Sequence, residues 1–331
     1  MPGRLTRPDS TATTKYPLPS VKDCARAILA YRAGVPSSLV GEISQLAEFA
    51  PACPLCGVSS ICMSPSISRN GAEFERRLAV TGPVTLDISV RTGRVRVRRG
   101  DADSVVIRGA VRVHSFLLSF GDPQRQAQEM ATDPPIFQEG NHIRMGDLED
   151  RWLLSHTELQ LEILTPADTR VRAFGDSADL RVEAVHGPVY CETDSGHIQI
   201  AQIESEVSAA CDSGAISISN VAGPVDAATD SGAIEALEIA GRVDARCDSG
   251  EISISQTMAA PIHGRTDSGS IRVKLAEGGY RLRLLTDSGR VEIPEAAQAQ
   301  AWGKEIEVSI RGGGPIVDLA TDSGNIDVAW D

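Results

Sequence analysis

The chain has 331 residues, 41% of them hydrophobic and 23% charged, with a net charge of −13. That is enough chain for a sizeable core and reads as a folded globular protein, one or two domains long. Aromatic residues make up only 4%, so small β-branched side chains must fill the interior, as in a narrow repeat structure. The charge is uneven: residues 174–331 hold 26 acidic and 11 basic residues, a net −15 that leaves +2 for the remainder. An acidic face of this kind argues against nucleic acid and anionic lipid as partners. The sequence has no apolar run of about 18 residues, so no integral membrane helix is expected.

Residues 1–70 form a Pro-, Ser- and Thr-rich leader, expected to be flexible or weakly helical near 20–33 and 38–49. Its Cys53-Pro54-Leu55-Cys56 resembles half of a zinc knuckle, with Cys24 and Cys62 as further ligand candidates. Translation starting at Met63 instead of Met1 is an alternative. No apolar secretory segment is visible near the start, so the expected compartment is the cytoplasm, where the seven cysteines stay reduced.

Residues 71–172 read as a β-rich lead-in and cap. Leu86-Asp87-Ile88-Ser89-Val90 and Arg94-Val95-Arg96-Val97-Arg98 alternate with period two. Arg94, Arg96 and Arg98 share one strand face, read as a basic patch or as a solvated face pairing with acidic neighbours. A short helix is expected over 122–132, with Asp122 as N-cap, Pro123 at the first helical position and Pro134-Pro135 as the stop. This block covers the open end of whatever follows, because terminal units must hide a sheet edge.

Residues 173–331 are built from one motif. Asp176, Asp194, Asp212, Asp230 and Asp248 recur every 18 residues, each followed by Ser. Looser copies follow at Asp267, Asp287 and Asp322. After each Asp-Ser-Gly comes a strand (Ile198 and Ile200; Ile216 and Ile218; Ile252 and Ile254), then a small residue, then Val207, Val225 or Val243. Each unit is two short strands and two turns, and it buries its inner face only by stacking on its neighbours. The fold expected is an all-β parallel solenoid of about 18-residue coils, each rising about 4.8 Å, or roughly 40 Å in total. Glycine is expected in the turn for its access to positive φ, and Asp and Ser as acceptors for nearby backbone N–H groups. From Asp194 onward the residue before Asp is Thr or Cys, a slot for a small inward side chain, while Gly175-Asp176-Ser177-Ala178 is a degenerate first copy. Cys211 and Cys247, two coils apart at about 9.6 Å, are beyond disulfide reach. Trp330 is expected to help close the far end. The irregular stretch 294–320, with Trp302, Lys304 and Gly312-Gly313-Gly314, is read as a longer coil or a grafted site.

The lead-in strands, Leu161-Glu162-Ile163-Leu164-Thr165-Pro166 and the repeated Thr-Asp-Ser-Gly-x-Ile resemble the bacterial "putative adhesin" family, also called toastrack, over residues 74–331. The resemblance implies a β-solenoid-like fold, no established catalytic residue, and an association with envelope-stress modules.

Three functions are weighed. The first is a non-enzymatic scaffold that binds a protein partner, because a site should break the repeat and the five equally spaced copies show no break. The second is a calcium-stabilised solenoid or surface adhesin, in which stacked Asp194, Asp212, Asp230 and Asp248 would supply the ligands. The third is a polysaccharide-acting β-helix enzyme, which the scattered His114, His142, His156, His186, His197 and His263 and the lack of any catalytic motif disfavour. No cofactor is expected.

Overall fold

The computed structural model describes residues 67–68, 71–113, 123–146, 157–293, 298–302 and 305–330. The leader helices, Cys24, Cys53, Cys56, Cys62, the choice between Met1 and Met63, Asp122, His114, His156 and Lys304 lie outside them, as does the side chain of Trp302.

The repeat forms a parallel β-solenoid. Val189–Ser195 and Ile198–Ile203 make one coil and stack in register on Val207–Ser213 and Ile216–Val221. The next coils are Val225–Ser231 with Ile234–Ile239, then Val243–Ser249 with Ile252–Gln256, then Ile262–Ser268 with Ile271–Leu275. Like residues stack on like: Val207, Val225 and Val243 in one row, Ile198, Ile216, Ile234, Ile252 and Ile271 in another, all essentially buried. The period of two puts these β-branched side chains inside and short polar ones outside.

The stack begins before the Asp-Ser-Gly motif does. Strand Thr169–Glu183 runs across position 173, and Val84–Arg99 pairs with it in parallel along nearly its whole length. Val84–Arg99 is therefore the first coil. Its corner is Arg91-Thr92-Gly93, and Arg91 Nε lies 3.2 Å from Asp176 Oδ2. The cap on this end joins the first coil through parallel pairings and is antiparallel within itself. Thr157–Thr165 pairs with the second half of Val84–Arg99, Ser104–Val113 pairs with Thr157–Thr165, and Gly71–Ala79 pairs with Ser104–Val113. A hairpin of Ile136–Glu139 and His142–Met145 covers the first half of the same coil. The helix forms over Pro123–Thr132, buries Ala127 and Ala131 one turn apart, and lies against Gly71–Ala79 and Ser104–Val113. Arg76 Nη2 donates to the Thr132 carbonyl at its C-terminal end (2.7 Å).

The other end departs from chain order. Ile316–Ser323 pairs with Ile262–Ser268 on one side and with Tyr280–Ser288 on the other. Ile326–Trp330 likewise lies between Ile271–Leu275 and Val291–Glu292. The last coil in sequence is thus the penultimate one in space, and Tyr280–Glu292 is the terminal coil. An antiparallel hairpin, Gln298–Trp302 with Glu305–Ile310, covers the edge of Tyr280–Ser288. Trp330 does not close the end: it sits opposite Leu275 inside the stack, half-buried against the core. The described residues of the stretch 294–320 are this capping hairpin and the return into the slot, turned by Arg311, Gly312 and Gly313 at positive φ.

Candidate functional site

The sequence points first to the aspartate edge. Register places Arg91, Asp176, Asp194, Asp212, Asp230, Asp248, Asp267, Asp322 and Asp287 along one row, in that spatial order. Asp194, Asp212, Asp230 and Asp248 are exposed and contribute one carboxylate per coil. Among the described residues, no group of three or more His, Cys, Asp or Glu side chains is arranged to hold a metal ion.

The turn is held by groups other than the aspartate and serine side chains. The Gly N–H of one coil donates to the Ser carbonyl of the next: Gly214 to Ser231 (3.0 Å), Gly232 to Ser249 (3.2 Å), Gly250 to Ser268 (3.0 Å). The small slot before each aspartate points inward and donates to the Gly carbonyl of the coil before. Examples are Thr229 Oγ1 to Gly214 (3.3 Å), Cys247 Sγ to Gly232 (3.2 Å) and Thr266 Oγ1 to Gly250 (3.3 Å). The glycine serves a purpose other than the one expected. At Gly214, Gly250 and Gly269 the backbone is not left-handed, but a Cβ would fall 1.8–1.9 Å from the preceding coil's Gly carbonyl oxygen. Glycine is there for close stacking. The left-handed positions lie at the second turn, at Ala184, Gln202, Asn220 and Glu238, again every 18 residues, with φ of 56–59°.

Cys191, Cys211 and Cys247 are free and buried. Burial pushes the Cys191 thiol up to about 12 and raises Cys211 and Cys247 as well, the latter two partly offset by backbone hydrogen bonds. Such thiols are poor nucleophiles. Arg94, Arg96 and Arg98 are ion-paired: Arg94 with Asp179 (3.6 Å), Arg96 with Glu183 (3.2 Å) and Arg98 with Glu162. The solvated, paired face is the reading that holds, and the basic patch does not form.

What the repeat does build is two broad outer faces. On one, register joins Tyr190, Ser208, Asp226, Asp244, His263, Asp318 and Arg283, with Glu192, Ala210, Ala228, Arg246, Arg265, Ala320 and Leu285 alongside. On the other lie Gln199, Ser217, Glu235 and Ser253 beside Ala201, Ser219 and Leu237. His186 and His197 sit at turns, each within 3.5 Å of a carboxylate, and the described histidines do not converge. No described helix is long and apolar enough to cross a membrane.

The chain is similar to several solved structures, among them two crystal structures. One is a "putative cell adhesion protein" from Clostridium sporogenes, with 10% identity and a TM-score of 0.25, the alignment covering 78% of this chain and 100% of that one. The other is a "putative adhesin" from Bacteroides fragilis, with 13% identity and a TM-score of 0.39, covering 77% and 96%. Likeness at this level says nothing of function. No curated protein sequence matches. The family model Toastrack DUF4097 matches residues 138–329, more than half of the 331 residues, and the chain belongs to the Toastrack family.

Proposed function

We propose that the protein is a non-catalytic scaffold whose outer solenoid faces dock a protein partner. The observation that carries this reading is the unbroken register of the outer rows from Tyr190 to Arg283 and from Gln199 to Ser253. Short outward side chains such as Ser208, Ala210, Ser217, Ser219 and Ala228 stand between longer polar ones, and the backbone beneath them is held by neighbours on both sides. Repeat proteins use such extended, rigid faces for recognition because a partner can touch many coils at little ordering cost. The free thiols of Cys191, Cys211 and Cys247 suit a reducing compartment, and we place the scaffold in the cytoplasm. The link to envelope stress rests on the family resemblance alone.

The test is affinity capture from the source cells with the native chain and two variants. Ser208→Arg/Ala228→Arg plants bulky charges on one outer face, and Met258→Arg changes an exposed turn position (63% exposed). Specific proteins should be retained by the native chain and by Met258→Arg and lost from the double variant, with all three melting alike. Identical captured sets from all three would overturn the reading.

A further inference from the structure

We propose that the outer face of the first coils carries a binding platform for a neutral saccharide, formed by Phe137, Phe174, Tyr190, Arg144, Arg172 and Asp87. The site adjoins one partner face, sharing Tyr190 with its first coil, and does not depend on the partner reading.

The starting observation is where a chain so poor in aromatics puts them. Among the aromatic side chains described, Phe74 and Tyr280 are core residues and Trp330 packs against the core at the far end. The other three share one outer patch. Register brings them together from distant parts of the sequence: Phe137 pairs with Arg144, Arg144 with Asp87, Asp87 with Arg172, and Arg172 with Tyr190. Phe174 lies one step along the same face, its ring centroid 5.5 Å from that of Tyr190 and 5.7 Å from the Arg172 guanidinium carbon. Phe137 is 49% exposed on a hairpin strand. Phe137 and Phe174 line a cavity of about 130 Å³, with Asp87, Ile88, Ser89, Arg144, Met145 and Gly146 making up the rest of its wall. Gly146 lets the hairpin approach this closely, because a Cβ there would fall 2.0 Å from the Ser89 carbonyl oxygen.

Asp87 supplies the second observation. Its Oδ2 is held by His142 Nε2 at 2.6 Å. Its Oδ1 is buried, makes no hydrogen bond within the protein, and has Arg172 Nη1 at 3.8 Å, too far for one. Oδ1 is thus enclosed beside Arg172 and closed to a ligand, and the side chain as a whole, 25% exposed, forms part of the cavity wall with Oδ2 held by His142.

The chemistry of the lining selects the ligand. Arg144 and Arg172 are balanced by Asp87 and Glu192, so the patch favours a neutral molecule over an anion. Aromatic faces ask for an apolar flat surface. Guanidinium donors and a carboxylate acceptor ask for groups that both accept and donate, and charge-assisted bonds to them are the stronger kind. A pyranose ring has both: one face of C–H groups and a rim of hydroxyls. The cavity has room for about four waters, the scale of one sugar residue. A base-stacking platform would need a positive groove tracking a phosphate backbone, and the chain carries −13.

The experiment uses the full chain on an array of neutral hexose and N-acetylhexosamine oligosaccharides, with each bound glycan then titrated calorimetrically. A (dT)12 oligonucleotide is the competing probe. The native chain should bind at least one neutral glycan. Phe137→Ala and Arg144→Ala, both at exposed positions, should each weaken that binding about tenfold or more. Leu237→Ala, on a distant coil, should leave it unchanged, and all the variants should melt like the native chain. No bound glycan, or glycan binding that both patch variants keep, would overturn the proposal. So would preferential binding of (dT)12 that the patch variants abolish, which would assign the platform to base stacking.

Discussion

At the position before each turn aspartate, one side chain does two jobs. It fills the coil interior, and it donates to a glycine carbonyl of the neighbouring coil. Thr321 Oγ1 to Gly269 (3.0 Å) and Thr286 Oγ1 to Gly324 (3.0 Å) show the same bond where the chain order is permuted, so the contact follows stacking and not sequence distance. Cysteine meets the volume requirement but is the weaker donor. Cys247→Thr should therefore fold as stably as the native chain or slightly better. Cys247→Val keeps the volume but leaves the Gly232 carbonyl without its partner, and should lose about 1 kcal/mol. Urea unfolding midpoints of the two variants, compared at equal slope, decide this.

At the scale of the strand, the outer arginines of Val84–Arg99 tie the first coil to the second. Arg96 Nη2 lies 3.2 Å from Glu183 Oε2, and Arg181 Nε donates to Glu183 Oε1 at 2.6 Å. Burial acts to raise the Glu183 pKa, but the bonds to Arg181 and Arg96 outweigh it and the net shift is downward. A carboxyl lowered in the folded state adds stability above its unfolded pKa of about 4.3, and that contribution is lost as pH falls through the folded value. Glu183→Gln should therefore lower the Tm at pH 7 by an amount equivalent to under about 1 kcal/mol, as for other partly exposed pairs. The gap from the native chain should close as pH falls below about 4.3. Thermal melts on both sides of that value measure it, and a gap that stays constant with pH would argue for lost packing instead.

This strand also marks where the sequence stops being legible. The repeat from Asp176 to Asp248 reads directly, because each copy carries the same turn and the same β-branched interior. The first coil does not, since Arg91-Thr92-Gly93 stands where later coils have Asp-Ser-Gly and only the pairing of Thr92 with Ser177 reveals it. The glycines were recognisable but their purpose was not: crowding against a carbonyl one coil away is invisible in a linear sequence. The left-handed residues Ala184, Gln202, Asn220 and Glu238 have no shared chemistry to announce them. The aromatic patch was hidden for a similar reason. Phe137, Asp87 and Phe174 become neighbours only through the pairing of Val84–Arg99 with two later strands.

At the scale of the molecule, the permuted end sets the cooperativity. In a solenoid wound strictly in chain order, removing the last coil exposes one new edge and leaves the rest intact. Here residues 316–330 fill a slot with neighbours on both sides. Val317, Leu319, Ile326 and Val328 are buried there, and Leu319 occupies room left by Gly264, whose Cβ would fall 3.0 Å from the leucine side chain. Ending the chain after Ile310 would separate Tyr280–Glu292 and its hairpin from Ile262–Leu275. Tyr280, Leu282 and Leu284 would then lose the buried surface that holds them, and the apolar area exposed costs several kcal/mol at the usual rate per Å². Hydrogen exchange on the truncated chain should therefore show protection lost over residues 280–310, although those residues are still present. Protection over 198–239 should remain, because nearest-neighbour contacts sustain those coils. Undiminished protection of 280–310 would mean that the terminal coil docks directly on Ile262–Leu275, and that the slot closes without its insert.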